Sequence, residues 1–177
     1  MTIIIINTII ITILIVFVIM FLLKRTCNNS FRTESGKMYS ARDIKAAEMI
    51  SFLQLISKDL TYHINKKQGK LLREKLQNTS FIELFLNVSP YIFGWNYDKG
   101  REIGIRLYHE TDIGPIMLPP EEIINTLFHE LAHSMTKEMH HPPGGEWENI
   151  NAYLQSFAPK YVEIFKLKIS ELTKQYG

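Results

Sequence analysis

Two histidines and a glutamate give the first chemical signal in this 177-residue sequence: His129-Glu130-Leu131-Ala132-His133, inside the run TLFHELAHSM from Thr126 to Met135. Four residues of helix advance about 400°, so both imidazoles leave one face, about a turn apart, and can share one Zn2+. Glu130 lies beside His129 at the edge of that face. A carboxylate there can hold a metal-bound water and take its proton, which makes a nucleophile for a peptide carbonyl. Ile123, Ile124, Leu127, Phe128, Leu131 and Met135 recur at helical spacing, so the helix has a broad apolar surface to bury in a core. That surface distinguishes a built site from two histidines on an exposed helix.

A catalytic zinc takes three protein ligands and leaves one position open. Four of the six histidines fall between positions 129 and 141. The third donor is therefore sought just downstream, where HHPPGG turns the chain sharply after the helix. His141 is favoured, His140 is the alternative, and Glu146 or Glu148 are more distant candidates. His63 and His109 stand apart and suit surface or capping roles. Spacing selects no oxyanion stabiliser, although Tyr153 and Tyr161 are available hydroxyls.

The elements that must position these groups can be read around them. Pro115, Pro119 and Pro120 break the chain ahead of the motif helix, and Glu121 and Glu122 suit the positive end of its dipole. Upstream, YIFGWNYDKGREIGIRLY from Tyr91 to Tyr108 predicts a β-hairpin around Asp98-Lys99-Gly100. In its second arm Ile103, Ile105 and Leu107 alternate with Glu102, Gly104 and Arg106, which puts the latter set on a face open to solvent or a ligand. Ser40 with Asp43 resembles a capping pair, and Ile44 to Leu60 carries helical periodicity, so a helix is expected from about Ala41 to His63. A shorter helical pattern covers Leu71 to Leu76. Downstream, Trp147, Ile150, Leu154, Phe157, Tyr161 and Phe165 suggest one or two core-packing helices interrupted at Pro159.

The front of the chain is a different material. Its first 23 residues hold 19 apolar side chains and no charge. As a helix, Ile3 to Leu23 would run about 32 Å, enough to cross a bilayer. A cleaved signal peptide would need a basic leader and small residues at its cleavage site, and neither is present. No Lys or Arg precedes the segment, whereas Lys24, Arg25, Arg32 and Lys37 follow it, so the expected orientation is N-terminus out with the bulk on the cytoplasmic side. Residues 1–25 are thus read as a transmembrane anchor, 26–39 as a linker and 40–177 as one domain. Twelve basic and five acidic residues lie between Lys24 and Lys75, against eight and thirteen beyond it. The basic, membrane-proximal half makes membrane lipid the expected partner. Nucleic acid is a lesser candidate, because no aromatic-interleaved basic patch accompanies the charge. A single cysteine, Cys27, excludes a disulfide-stapled fold.

NTLFHELAHSM, a further histidine after a short spacer, and a following Trp-Glu-Asn resemble the WLM/SprT-like zinc metalloproteases, including compact versions encoded by large DNA viruses. The resemblance implies a small α+β zincin-like domain with an N-terminal helix, a short antiparallel sheet or hairpin, the HExxH helix and C-terminal helices. It implies Zn2+ held by His129, His133 and His141, Glu130 as general base, and a protein substrate. Taken with the anchor, the expectation is a membrane-anchored zinc endopeptidase facing the cytoplasm or a virion interior. The alternative is a structural membrane-associated protein, in a virion for example, that keeps the fold without catalysis.

Overall fold

The computed structural model describes residues 29–85, 88–138 and 141–177. The expected anchor lies outside these residues, as does His140. Among the described residues no helix is long and apolar enough to cross a membrane.

The described part of the stretch read as a linker forms a hairpin, β1 (Ser30–Arg32) against β2 (Met38–Ser40). Because Ser40 ends a strand, the helix cap passes to Asp43, whose carboxylate accepts from Ala46 N at 2.7 Å. Helix α1 therefore runs Ile44–His63 and starts three residues later than expected. It is buried on nearly all sides, with Met49, Ile50, Leu53 and Leu60 fully enclosed. Its interior polar groups have partners: Gln54 Oε1 accepts from Tyr39 Oη at 2.6 Å, and Glu48 Oε1 accepts from Glu34 N at 2.6 Å.

Helix α2 (Lys66–Leu76) begins five residues before the pattern that announced it and includes Gly69. A Cβ at Gly69 would run into the Thr61 carbonyl, so the glycine is what lets α2 close on α1. Three strands follow, β3 (Ser80–Glu83), β4 (Gly94–Tyr97) and β5 (Glu102–Ile105), in the order β3-β5-β4. The expected hairpin is β4–β5, antiparallel with Trp95 opposite Gly104 and turned by positive φ at Asp98, Lys99 and Gly100. β3 joins β5 in parallel, and a second hairpin pairs β6 (Tyr108–Thr111) with β7 (Gly114–Met117).

Ile103, Ile105 and Leu107 are fully buried, as their alternation requires. The complementary face is not free, however. Gly104 lies under the Trp95 ring and Leu84, and Arg106 is only 3% exposed.

The motif helix is α3 (Pro120–Met135), with Pro120 at its first position and Glu121 and Glu122 in its first turn. Ile123, Ile124, Leu127, Phe128 and Leu131 face the core, where Phe128 meets Tyr161 edge-on at 5.7 Å. Fully burying each such side chain contributes about 1.5–3 kcal/mol, which fixes the rotation of the helix and so the direction of its polar stripe. α4 (Glu146–Gln155) and α5 (Ala158–Tyr176) complete the chain. The break between them falls at Ser156 and Phe157. Pro159 belongs to the first turn of α5, where its missing N–H is not needed, so it opens a helix instead of interrupting one. Helices packed against a small mixed sheet make this an α+β domain.

Candidate metal centre

Core packing on one side of α3 turns His129 and His133 out together on the other, with ring centroids 5.0 Å apart. The chain leaves α3, turns, and brings His141 back over the pair, 5.1 Å from His129 and 4.8 Å from His133 between centroids. One ligand nitrogen from each of the three rings falls within 4.8 Å of the others, and Nε2 of His133 and His141 are 3.0 Å apart. Tetrahedral zinc with bonds of 2.0–2.1 Å sets its ligand atoms about 3.3 Å apart, so the His133–His141 pair is near that spacing and the cluster is compact enough to close on one ion. The protonation of the two helix rings also fits. Burial, with His141 nearby, holds His129 below its usual range. His133 is pushed down to about 4, by burial first and then by His129, His141 and Lys99. Neutral imidazole is the form that binds a metal.

The return of the chain is held by contacts no local pattern announces. Trp147 stacks on His141 at 3.7 Å between centroids and 19° between planes, and approaches His129 at 4.7 Å. The Glu138 carboxylate accepts from Glu146 N at 3.0 Å and Trp147 N at 2.8 Å, so it caps α4 from outside the helix and stays below the usual carboxylate range. Lys99, at the β4–β5 turn, donates to the Glu138 carbonyl at 2.5 Å. The distant ligand candidates are committed here: Glu146 accepts from Thr136 Oγ1 at 2.9 Å, and Glu148 from Gly144 N at 2.5 Å. The candidate oxyanion donors are also engaged elsewhere. Tyr161 Oη donates to Asp59 at 2.8 Å, and Tyr153 Oη accepts from Asn65 N at 3.1 Å.

Glu130 is 5% exposed, and burial pushes its carboxyl up to about 7. β4 runs directly beside it. A Cβ on Gly94 would lie 2.6 Å from Thr126 Cγ2 and 2.7 Å from Glu130 Oε1, so only glycine lets the strand pass this close. Asn96, two residues on, donates through Nδ2 to Glu130 O at 2.6 Å and to Ser134 Oγ at 2.7 Å. Asn96 Oδ1 and Trp147 Nε1 are the buried side-chain polar atoms without a partner among the described residues, and both belong to residues that pack against the motif. Unsatisfied polar groups cost about 1–3 kcal/mol each, a loss of stability typical of functional sites.

A cleft of about 740 Å3 opens along α3 on the Glu130 side of the cluster. Thr126, His129 and Glu130 line it from the helix, Tyr91, Phe93 and Gly94 from the approach to β4. Gly94, Asn96 and Trp147 were not among the expected site residues. Gly94 in a strand pattern was the one available cue, since such a glycine marks close approach by another group.

Comparison with known families matches the WLM domain to residues 46–141, a span from α1 to His141. Among solved structures, the crystal structure of a Wss1 mutant from Saccharomyces cerevisiae is similar at 18% identity, covering 54% of this chain and 85% of that one, with a TM-score of 0.35. Comparison with curated proteins gives no match.

Proposed function

The chain belongs to the WLM domain family of zinc metalloproteases, and on that premise we propose that it is a zinc-dependent endopeptidase with His129, His133 and His141 as metal ligands and Glu130 as general base. The observation that carries this reading is the convergence of three imidazoles beside a buried carboxyl at the mouth of a cleft. Zn2+ would supply the Lewis acidity that makes water a nucleophile near neutral pH. The protein's own groups do the rest. The cleft admits an extended polypeptide with its scissile carbonyl near Glu130, and Gly94 keeps the strand from blocking that approach. Glu130 takes a proton from the attacking water as its oxygen bonds to the carbonyl carbon. The same carboxyl returns the proton to the amide nitrogen as the C–N bond breaks, so no charge is stranded on the leaving amine. Burial raises the Glu130 pKa, and a cation nearby would lower it again, which keeps the group able to work in both directions.

The apolar run Ile3 to Leu23 supports membrane anchorage, with the lipid surface and a protein substrate as partners and the domain on the side of the following basic residues. The test is cleavage of labelled, unfolded casein by full-length, zinc-loaded chain beside Glu130→Gln. The substitution is expected to retain zinc and lose about 10²- to 10⁴-fold in rate. Zinc-loaded wild type whose cleavage does not depend on Glu130 would overturn the assignment.

A further inference from the structure

Alternation continued past β5 predicts an outward Arg106, yet the residue is 3% exposed. Its guanidinium turns toward the approach to β4. Nε donates to Ile92 O at 2.8 Å, and Nη2 donates to Ser89 O at 3.0 Å and Val88 O at 3.3 Å. The Arg106 backbone N–H donates to Phe93 O at 2.8 Å, and Ile92 N closes a turn on Ser89 O at 3.0 Å. One residue thus gathers the carbonyls of four others between positions 88 and 93.

Glu83 and Glu110 act on this cation through space but form no ion pair with it among the described residues. Glu83 and Glu110 are bonded by Arg42, at 2.7 and 2.6 Å. A buried cation whose hydrogen bonds run to carbonyls is costly, and removing it leaves those carbonyls unpaired, so the arrangement favours one conformation of the segment strongly over others. That segment is a wall of the cleft. Tyr91, Ile92 and Phe93 line it opposite Thr126 and Glu130, and Gly94 follows at contact distance from the Glu130 carboxylate.

We infer that Arg106 is a positioning residue that holds the 88–93 wall and so sets the width of the substrate cleft, an inference that rests on the peptidase reading. Arg106 reaches the site only through this wall, so its loss weakens substrate binding and leaves bond cleavage nearly unchanged, a KM effect and not a kcat effect.

The test compares full-length, zinc-loaded wild type with Arg106→Lys and Arg106→Met. Two readouts are taken: hydrogen exchange of the amides of Ile92 and residue 106, whose N–H groups are bonded to the wall, and kcat and KM on unfolded casein. Exchange at these amides is expected to quicken about tenfold or more while α3 is unchanged, with KM rising about five- to tenfold and kcat staying within about twofold. Met should exceed Lys, because an ammonium still reaches one carbonyl; if the Met variant does not fold, Lys carries the comparison. Unchanged exchange overturns the clamp. Quickened exchange with unchanged KM, or a fall in kcat alone, overturns its role in the cleft. Wild type that loads zinc and cleaves nothing defeats the peptidase reading instead, and the exchange data still decide whether Arg106 holds the wall.

Discussion

His129 and His133 are placed by one turn of a helix whose opposite side is the core, whereas His141 is placed by a turn, a capping carboxylate and a stacked indole. The first pair is specified by spacing alone: any force that buries Leu127, Phe128 and Leu131 also aims both rings. The third ring depends on Trp147, Glu138 and Lys99, which come from three separate stretches of chain. A metal centre built this way has a rigid half and an adjustable half. A bound zinc would be the contact that joins them.

The sharpest way to break that contrast is to remove a ring from each half. Metal-affinity losses of 10–100-fold are usual for residues that only support a ligand, so His133→Ala and His141→Ala should each lose more than about 100-fold in zinc affinity, measured by competition with a chelator. The metal-free proteins should differ, with thermal unfolding shifted by loss of the half-buried His133 and hardly at all by loss of the exposed His141. Wild-type zinc affinity in His141→Ala would transfer the third position to another donor, with His140 the first to examine.

A second prediction separates the carboxyl from the rings by pH. In the metal-free protein Glu130 has its pKa raised from 4.5 to about 7 by burial, so between those values the folded state binds more protons than the unfolded state. Its contribution is therefore intact below about 4.5 and is lost as pH rises through 7. The depressed His133, at about 4, works with the opposite sign, gaining stability as pH rises toward 6.5. Both proteins keep His133, so comparison with Glu130→Gln isolates the carboxyl. Metal-free Glu130→Gln should match wild type near pH 4.5 and exceed it by on the order of 3 kcal/mol at pH 8, as read by urea unfolding. A difference that does not change with pH would show that Glu130 is not held in a desolvated site.

The same division explains what could be read from the sequence. Relations within a few residues were legible: the HExxH face, the Asp98-Lys99-Gly100 hairpin, and the proline-opened start of α3. Relations set by tertiary contact were not. Ser40 reads as a cap, yet strand pairing with Ser30 places it in β2, and the pattern from Leu71 misses the first turns of α2, whose Gly69 is explained by the approach of α1. The parallel β3–β5 pair has no turn to announce it, because the two strands are joined only through β4. Arg106, just past β5, is assigned to solvent by the alternation but finds its acceptors 14 to 18 residues upstream.

The adjustable half offers the last and smallest test. Trp147 has no ligand atom to offer, yet its ring covers His141 face to face while its buried indole N–H has no partner among the described residues. A side chain kept in place at the expense of a hydrogen bond is kept for its shape, and here the shape holds one imidazole over two others. Trp147→Leu retains apolar volume and removes the planar surface, so His141 should still bind zinc but from a wider range of orientations. Zinc affinity is then expected to fall about tenfold, at the low end for a supporting residue, through faster release of the metal. Trp147→Phe, which keeps a flat ring, should recover most of that loss. Equal losses for Leu and Phe would mean that bulk and not stacking positions His141, and the contrast between a spacing-coded and a contact-coded half would then reduce to ordinary core packing.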